Sequence, residues 1–243
     1  DCLLPYDHGI PAVVCNRISN QRSGRRDPGG RRVEAVRAGR TISAFLFSLL
    51  FFPLCAADAD GILAKVRAGM ERVHRLTASF EQKKEIVSIR RTLTIRGTLA
   101  LDKSGRMAWR VNEPIRYVCV ISGSRLTQWD AESGSVLTLD TAKNPSLKIL
   151  AESMKSYFSG DFEAMAGAFT ISAPETHRLR LVPKPGSPAG AFIRELEFET
   201  APDYSHITRV RIVERSGDVT AIRFFETRLN PEIPESVWRA GAQ

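Results

Sequence analysis

Apolar and polar positions alternate along much of the chain after residue 75, and this alternation predicts a β-rich fold. Leu99 and Leu101 are two residues apart, and Met107, Trp109 and Val111 repeat that spacing after a charged turn. Side chains with a two-residue period lie on one face of a strand. Five later segments have the same character: FTISA, HRLRLVPK, AFIRELEFET, HITRVRIVE and DVTAIRFFETRL. We therefore expect a mainly β fold with about ten or eleven antiparallel strands.

Two stretches interrupt this pattern with helical spacing. The first covers residues 58–76 and precedes the first strand. The second begins near Pro145 and ends near Gly160, and its apolar residues lie on one helix face: Leu147, Leu150, Met154 and Phe158. A shorter helix is predicted to begin at Asp161. Since a sheet of this size curls, we expect a concave apolar face with the helices as its lid.

The apolar strand positions are the candidates for a binding face. Twelve of them are predicted to line the concave side: Leu99, Leu101, Met107, Trp109, Val118, Val120, Trp129, Leu137, Leu139, Leu196, Phe198 and Phe224. An ordinary β-protein core is the alternative interpretation, because it would contain the same residue types.

The chain divides into three segments by character. We interpret residues 1–40 as a disordered N-terminal extension that ends in a basic leader, and a spurious upstream translation start is one interpretation of it. Residues 41–57 combine an apolar run with small residues, which is typical of a secretory signal peptide and its cleavage region. An uncleaved membrane anchor is the alternative. Residues 58–243 are expected to form a single exported domain outside the cytoplasm.

Charge and cysteine content narrow the function classes. The formal net charge is +8, and half of it falls in residues 1–57. The remainder is mildly basic with mixed signs, which argues against a nucleic-acid partner. Beyond residue 57 the only cysteine is Cys119, in the apolar run YVCVI. We interpret it as a small packed hydrophobe.

Residue patterns that would indicate an active site are absent from the sequence. The histidines have no metal-ligand spacing, and phosphate-binding or nucleophile motifs are missing. Glu195, Glu197 and Glu199 alternate along one strand, and we interpret them as a solvated face opposite Leu196 and Phe198. We expect neither an enzyme nor a cofactor or metal site.

Three segments together resemble the LolA family of periplasmic lipoprotein carriers. LTASFEQKK at 76–84 is similar to its helix-to-first-strand segment. RGTLALDKSGRMAWRVNEP at 96–114 resembles its Gly-x-Leu strand, charged turn and tryptophan five residues before a proline. VISGSRLTQWD at 120–130 resembles its next hairpin, and the insert at 145–167 falls where the family has lid helices.

The resemblance implies a monomeric half-barrel that carries acyl chains from an inner-membrane exporter to an outer-membrane acceptor, with no cofactor. Lys103 stands where the family has an arginine that holds the lid closed, and the following proline is missing, which indicates a divergent member. Lys103 and Arg106 are the predicted lid latch. The cargo is a lipoprotein or another lipid-like molecule. The alternative is a periplasmic half-barrel that senses a lipid or a partner and regulates envelope stress.

Overall fold

The computed structural model describes residues 59–143, 156, 160, 162 and 165–241. The leader and signal-peptide predictions lie outside these residues. One α-helix has described bounds, α1 (Ala59–Glu71). The strands are β1 (Arg75–Ile86), β2 (Arg91–Asp102), β3 (Met107–Glu113), β4 (Tyr117–Ser122), β5 (Arg125–Asp130), β6 (Val136–Asp140), β7 (Phe169–Glu175), β8 (Arg178–Pro183), β9 (Ile193–Thr200), β10 (Ile207–Glu214) and β11 (Val219–Leu229). Short 3-10 turns cover Val87–Ile89, Thr141–Lys143, Pro188–Ala191 and Glu235–Trp238.

All eleven strands belong to one antiparallel sheet. Its strand order is β6-β5-β4-β3-β2-β1-β11-β10-β9-β8-β7. Strands β1 to β6 therefore form a first meander and β7 to β11 a second, and the pairing of β1 with β11 joins them. Strands β6 and β7 are the two edges, so the sheet is open. The predicted mainly β fold with a curled antiparallel half-barrel is confirmed.

The strand register places most apolar side chains on one face, which we call the inner face. Each meander carries a cluster of buried residues there. The first cluster comes from β1 to β5 and β11, and includes Phe80, Leu99 and Trp109. The second comes from β7 to β10, α1 and the residues just before β7, and includes Leu179 and Phe198. Partly buried Val210 packs against both clusters, so the apolar surface is continuous across the sheet.

Helix α1 packs on the second half of the inner face. Its buried residues Ile62, Val66 and Met70 are four residues apart, and all three belong to the second cluster. This spacing puts them on one side of the helix. Burying such side chains stabilises the fold by about 1.5–3 kcal/mol each. The predicted first helix is thus confirmed, and it covers the second meander.

Candidate functional site

Nine of the twelve predicted lining residues lie on the inner face. In the first meander Trp109 pairs with Leu99 on one side and Cys119 on the other, and its ring stacks on Phe80 with centroids 3.8 Å apart. The nine residues are Leu99, Leu101, Met107, Trp109, Leu137, Leu139, Leu196, Phe198 and Phe224. The sequence therefore located the main lining of this face, and contact with a lipid stays a prediction.

The placement of Val118, Val120 and Trp129 on the same face is wrong. Val118 pairs with Arg110 in β3 and with Trp129 in β5. The side chains at these three positions lie on the outer face of the sheet. On the outer face Val118 and Val120 form a third cluster with two small alanines, and the C-terminal segment packs against it. Because β4 is buried on both faces, its apolar run has no period from which the inward side could be chosen.

Further residues of the first cluster lie on the inner face and were not among the twelve, for example Phe80, Tyr117, Ile121 and Ile222. The signal for Phe80 was present, because Leu76, Ala78 and Phe80 follow the two-residue period in β1. Burial raises the pKa of Tyr117 and raises the pKa of the Cys119 thiol to about 12. Cys119 is thus a protonated, packed side chain, as its apolar surroundings in the sequence indicated.

Access to the inner face differs between its centre and its edge. Trp109 is 5% exposed and Phe198 is 1% exposed, so both are core residues in this structure. Leu137 in the edge strand β6 lies on the same face, opposite Gln128, and is 52% exposed. An apolar chain that enters this face can therefore contact Leu137 without displacing the packed centre.

Polar side chains also lie on the inner face, near the junction of the two meanders. Gln82 pairs with Ile222, and Lys84 pairs with Thr220. Gln82 and Thr220 are buried, and neither Gln82 Oε1 nor Thr220 Oγ1 has a hydrogen-bond partner among the described residues. Each buried polar atom without a hydrogen bond lowers the free energy of unfolding by about 1–3 kcal/mol. These atoms can bind a polar group of a ligand that reaches the junction.

Lys103, one of the two predicted latch residues, connects the β2–β3 turn to α1. Its Nζ donates a hydrogen bond to the carbonyl of Glu71, the last residue of α1, at 3.0 Å. Its backbone N–H donates to the His74 carbonyl at 2.9 Å. A cation near the C-terminus of a helix also interacts favourably with the helix dipole. Lys103 therefore holds one end of the helix that covers the inner face.

Arg106, the other predicted latch residue, contacts the C-terminal segment 231–240. Its guanidinium pairs with Asp102 at 2.7 Å and with Glu235 at 3.0 Å. It also lies over the Trp238 ring, 4.5 Å from the centroid. These contacts hold the segment against the outer face, so the described contacts of Arg106 and Lys103 lie on different parts of the molecule.

The predicted lid residues Leu147, Leu150, Met154 and Phe158 lie outside the described residues, as does Asp161. Two of the residues described near the end of the insert have clear contacts. A Cβ atom on Gly160 would lie 3.3 Å from Met70 Cβ, and the Phe162 ring lies 5.5 Å from that of Phe198. The insert thus ends on α1 and the second cluster.

The glutamates of β9 form ion pairs on the outer face. Glu195 pairs with Arg180, Glu197 with Arg211 at 3.3 Å, and Glu199 with Arg178 at 3.5 Å. This agrees with their interpretation as a solvated face. Within the described part of the chain, no group of three His, Cys, Asp or Glu residues could hold a metal ion. None of the helices described there is long and apolar enough to cross a membrane.

These features define a protein built around one open sheet with a continuous apolar face. The family model described as "Outer membrane lipoprotein carrier protein LolA" matches residues 71–240, and the chain belongs to this family. It is 22% identical over 200 residues to an outer-membrane lipoprotein carrier protein of Legionella pneumophila (strain Corby), covering 80% of this chain and 92% of the relative. It is 25% identical over 206 residues to that of Pseudomonas entomophila (strain L48), covering 82% and 94%.

The solved structures that match this chain are more distant in sequence. A LolA superfamily protein from Nitrosomonas europaea is 10% identical with a TM-score of 0.42, covering 76% of this chain and 98% of its own. The Pseudomonas aeruginosa MucA/MucB complex structure is 12% identical with a TM-score of 0.46, covering 76% and 62%.

Proposed function

We propose that this chain is a periplasmic carrier that holds the acyl chains of a lipoprotein, or of another lipid-like cargo, on its inner face. Membership of the LolA family supports carriage, since family relatives bear the name of outer-membrane lipoprotein carriers. Transfer then runs from an inner-membrane exporter to an outer-membrane acceptor.

The observation that carries the proposal is the continuous apolar face of an open sheet. It extends from Leu139 in β6, through Trp109 and Phe80, to Leu179 in β8. Acyl chains gain about 0.8 kcal/mol for each CH₂ group removed from water, so such a face can hold them without a covalent bond. The nine inner-face residues named above form the proposed lining.

The lid and latch complete the proposal. Leu147, Leu150, Met154 and Phe158 are the proposed lid residues, and Lys103 is the proposed latch on α1. Arg106 supports the latch indirectly, since it hydrogen-bonds Asp102 beside the same turn. Loading and release then require movement of the helical cover, and no bond is made or broken.

Two neighbouring residues of β6 offer a matched test. Leu137 and Val136 are 52% and 57% exposed, and as strand neighbours they point to opposite faces. The full chain is expressed in a bacterium, and the exported protein is purified from the periplasm and examined by native mass spectrometry. We expect bound acyl-containing masses in the native chain, about tenfold weaker lipid retention in Leu137→Asp, and unchanged retention in Val136→Asp.

Two results would contradict the carrier proposal. One is a clean unbound mass for the native chain together with no uptake of an added fluorescent fatty acid. The other is equal lipid retention in both variants, which would show that the inner face is an ordinary core. In either case, binding of a periplasmic partner segment becomes the next function to test.

A further inference from the structure

Three exposed apolar side chains lie at one end of the sheet. Val87 is 57% exposed, Ile89 59% and Phe192 53%. Val87 and Ile89 belong to the 3-10 turn between β1 and β2, and Phe192 precedes β9. Exposed apolar side chains that cluster, rather than occur singly, indicate an interaction site. We call these three residues the apolar tip.

The turn between β10 and β11 connects the members of the tip. The Val87 N–H donates to Asp218 Oδ1 at 2.9 Å, and a Cβ on Gly217 would lie 3.6 Å from Val87 Cγ2. On the other side, the Arg215 N–H donates to the Phe192 carbonyl at 2.8 Å. Strand order places Val87 and Phe192 three strand spacings apart, about 14 Å.

Hydrogen bonds from Arg215 fix its turn against the loop before β9. Its Nε donates to the Gly190 carbonyl at 2.9 Å, in addition to the backbone bond to Phe192. The tip therefore consists of three turns tied to one another, with apolar side chains held outward. Side chains presented by a fixed frame lose less conformational entropy on binding than side chains of a free loop.

Basic residues predominate around the apolar tip. Residues 83–92, 184–194 and 214–219 contain seven basic and three acidic side chains: Lys83, Lys84, Arg90, Arg91, Lys184, Arg194 and Arg215 against Glu85, Glu214 and Asp218. Two of the bases already have acidic partners, since Lys84 pairs with Glu214 at 3.2 Å and Lys83 pairs with Glu81 at 3.4 Å. This leaves five basic side chains, Arg90, Arg91, Lys184, Arg194 and Arg215, against Glu85 and Asp218. The surroundings of the tip are positively charged.

We propose that the apolar tip and its basic rim dock this protein onto an anionic phospholipid surface. The combination of outward apolar side chains with surrounding arginines fits the headgroup boundary of a bilayer, where the apolar groups enter and the cations meet anionic lipids. A protein partner would be expected to present a pocket and acidic residues to the same tip. This inference goes beyond carriage, because it assigns the surface by which the carrier meets the membrane.

The test uses vesicles of equal parts phosphatidylethanolamine and phosphatidylglycerol with the full chain. Cosedimentation compares the tip variant, Val87→Ser with Ile89→Ser and Phe192→Ser, against a matched control. The control combines Val136→Ser in the edge strand β6 with Leu229→Ser at the opposite end of β11, two positions that are 57% and 39% exposed. The N-terminal apolar run is common to all variants, so differences between them report the tip. We expect at least about tenfold weaker partitioning for the tip variant only, with salt weakening the binding of the native chain.

A local readout accompanies the sedimentation. Phe192→Trp places a fluorophore in the tip, and Leu229→Trp places one at the opposite end of β11. We expect brominated lipids to quench the added fluorescence of the first variant and to leave that of the second unchanged.

Equal partitioning of the two serine variants, or no quenching at position 192, would overturn the proposal. Loss of cross-links to a membrane protein in the tip variant, without vesicle binding by the native chain, would also overturn it, in favour of a protein surface. Cargo retention is measured separately, so a negative result here leaves the carrier function standing.

Discussion

Gly97 shows how one residue permits the central packing of the inner face. A Cβ at this position would lie 1.8 Å from the Arg110 carbonyl oxygen and 2.8 Å from Phe80 Cζ. Gly97 pairs with Phe80 in β1 and with Val111 in β3. The Phe80 ring that stacks on Trp109 therefore occupies the space that any larger residue at position 97 would need.

We expect Gly97→Ala to destabilise the fold by about 3 kcal/mol, because the backbone of β3 and the Phe80 ring must both move. Gly167→Ala is the matched control, since a Cβ there would meet nothing within 4 Å and should change stability by less than about 0.5 kcal/mol. Urea unfolding of the two variants measures the difference. Equal midpoints would show that β2 and β3 separate easily.

Among single residues, the sequence predicted the inward-facing side chains correctly where a strand has one solvent-exposed face. Leu196 and Phe198 alternate with charged residues in β9, and both are buried on the inner face. Val118 and Val120 were misassigned because no polar residue interrupts β4. The partners that bury their side are in the C-terminal segment 231–240, whose sequence has no strand or helix period.

At the scale of elements, Arg110 fixes that C-terminal segment to the outer face. Its Nη2 lies 2.8 Å from the Val237 carbonyl oxygen, 2.9 Å from that of Arg239 and 3.4 Å from that of Ser236. Burial lowers the pKa of the Arg110 guanidinium. The carbonyl oxygens replace the water that this cation gives up.

Arg110→Met keeps the length of the side chain and removes its donors. We expect residues 231–240 to detach more often, with amide exchange in that segment faster by about tenfold, since hydrogen bonds to a charged group contribute about 1.5–3 kcal/mol. Hydrogen-exchange mass spectrometry of this segment makes the measurement. Arg125→Met, an exposed position in β5, is the control. Unchanged exchange in the Arg110 variant would mean that the third cluster and the contacts of Arg106 are enough to hold the segment.

At the scale of the whole molecule, the order of elements was predictable and the pairing between meanders was not. Alternation and turns identified β7 to β11 one by one, and the spacing of apolar residues identified α1. The pairing of β1 with β11 is the contact that joins the two meanders in the middle of the sheet. That pairing is determined by long-range packing, of which Phe80 opposite Phe224 is one instance, and local periodicity does not encode it.

The proposed latch belongs to the scale of the whole molecule, because Lys103 joins the first meander to the helix that covers the second. We expect Lys103→Met to accelerate release of a bound fluorescent fatty acid about fivefold, the equivalent of one lost hydrogen bond of ~1 kcal/mol. Lys65→Met, an exposed position on the same helix, should leave release unchanged. Stopped-flow release rates measure the effect. A Lys103 variant that releases at the native rate would show that α1 does not gate the face.

The central pairing of β1 with β11 also determines where the entropic cost of this topology falls. Within each meander the strands are joined to their neighbours by short or moderate connections. At the join between them, Ser79 and Glu226 form a hydrogen bond across 147 residues of chain. Closing so long a loop costs more conformational freedom than closing any hairpin. Because the N-terminal end of a protein is synthesised first, one edge of β1 stays unpaired until β11, the last strand, has been made.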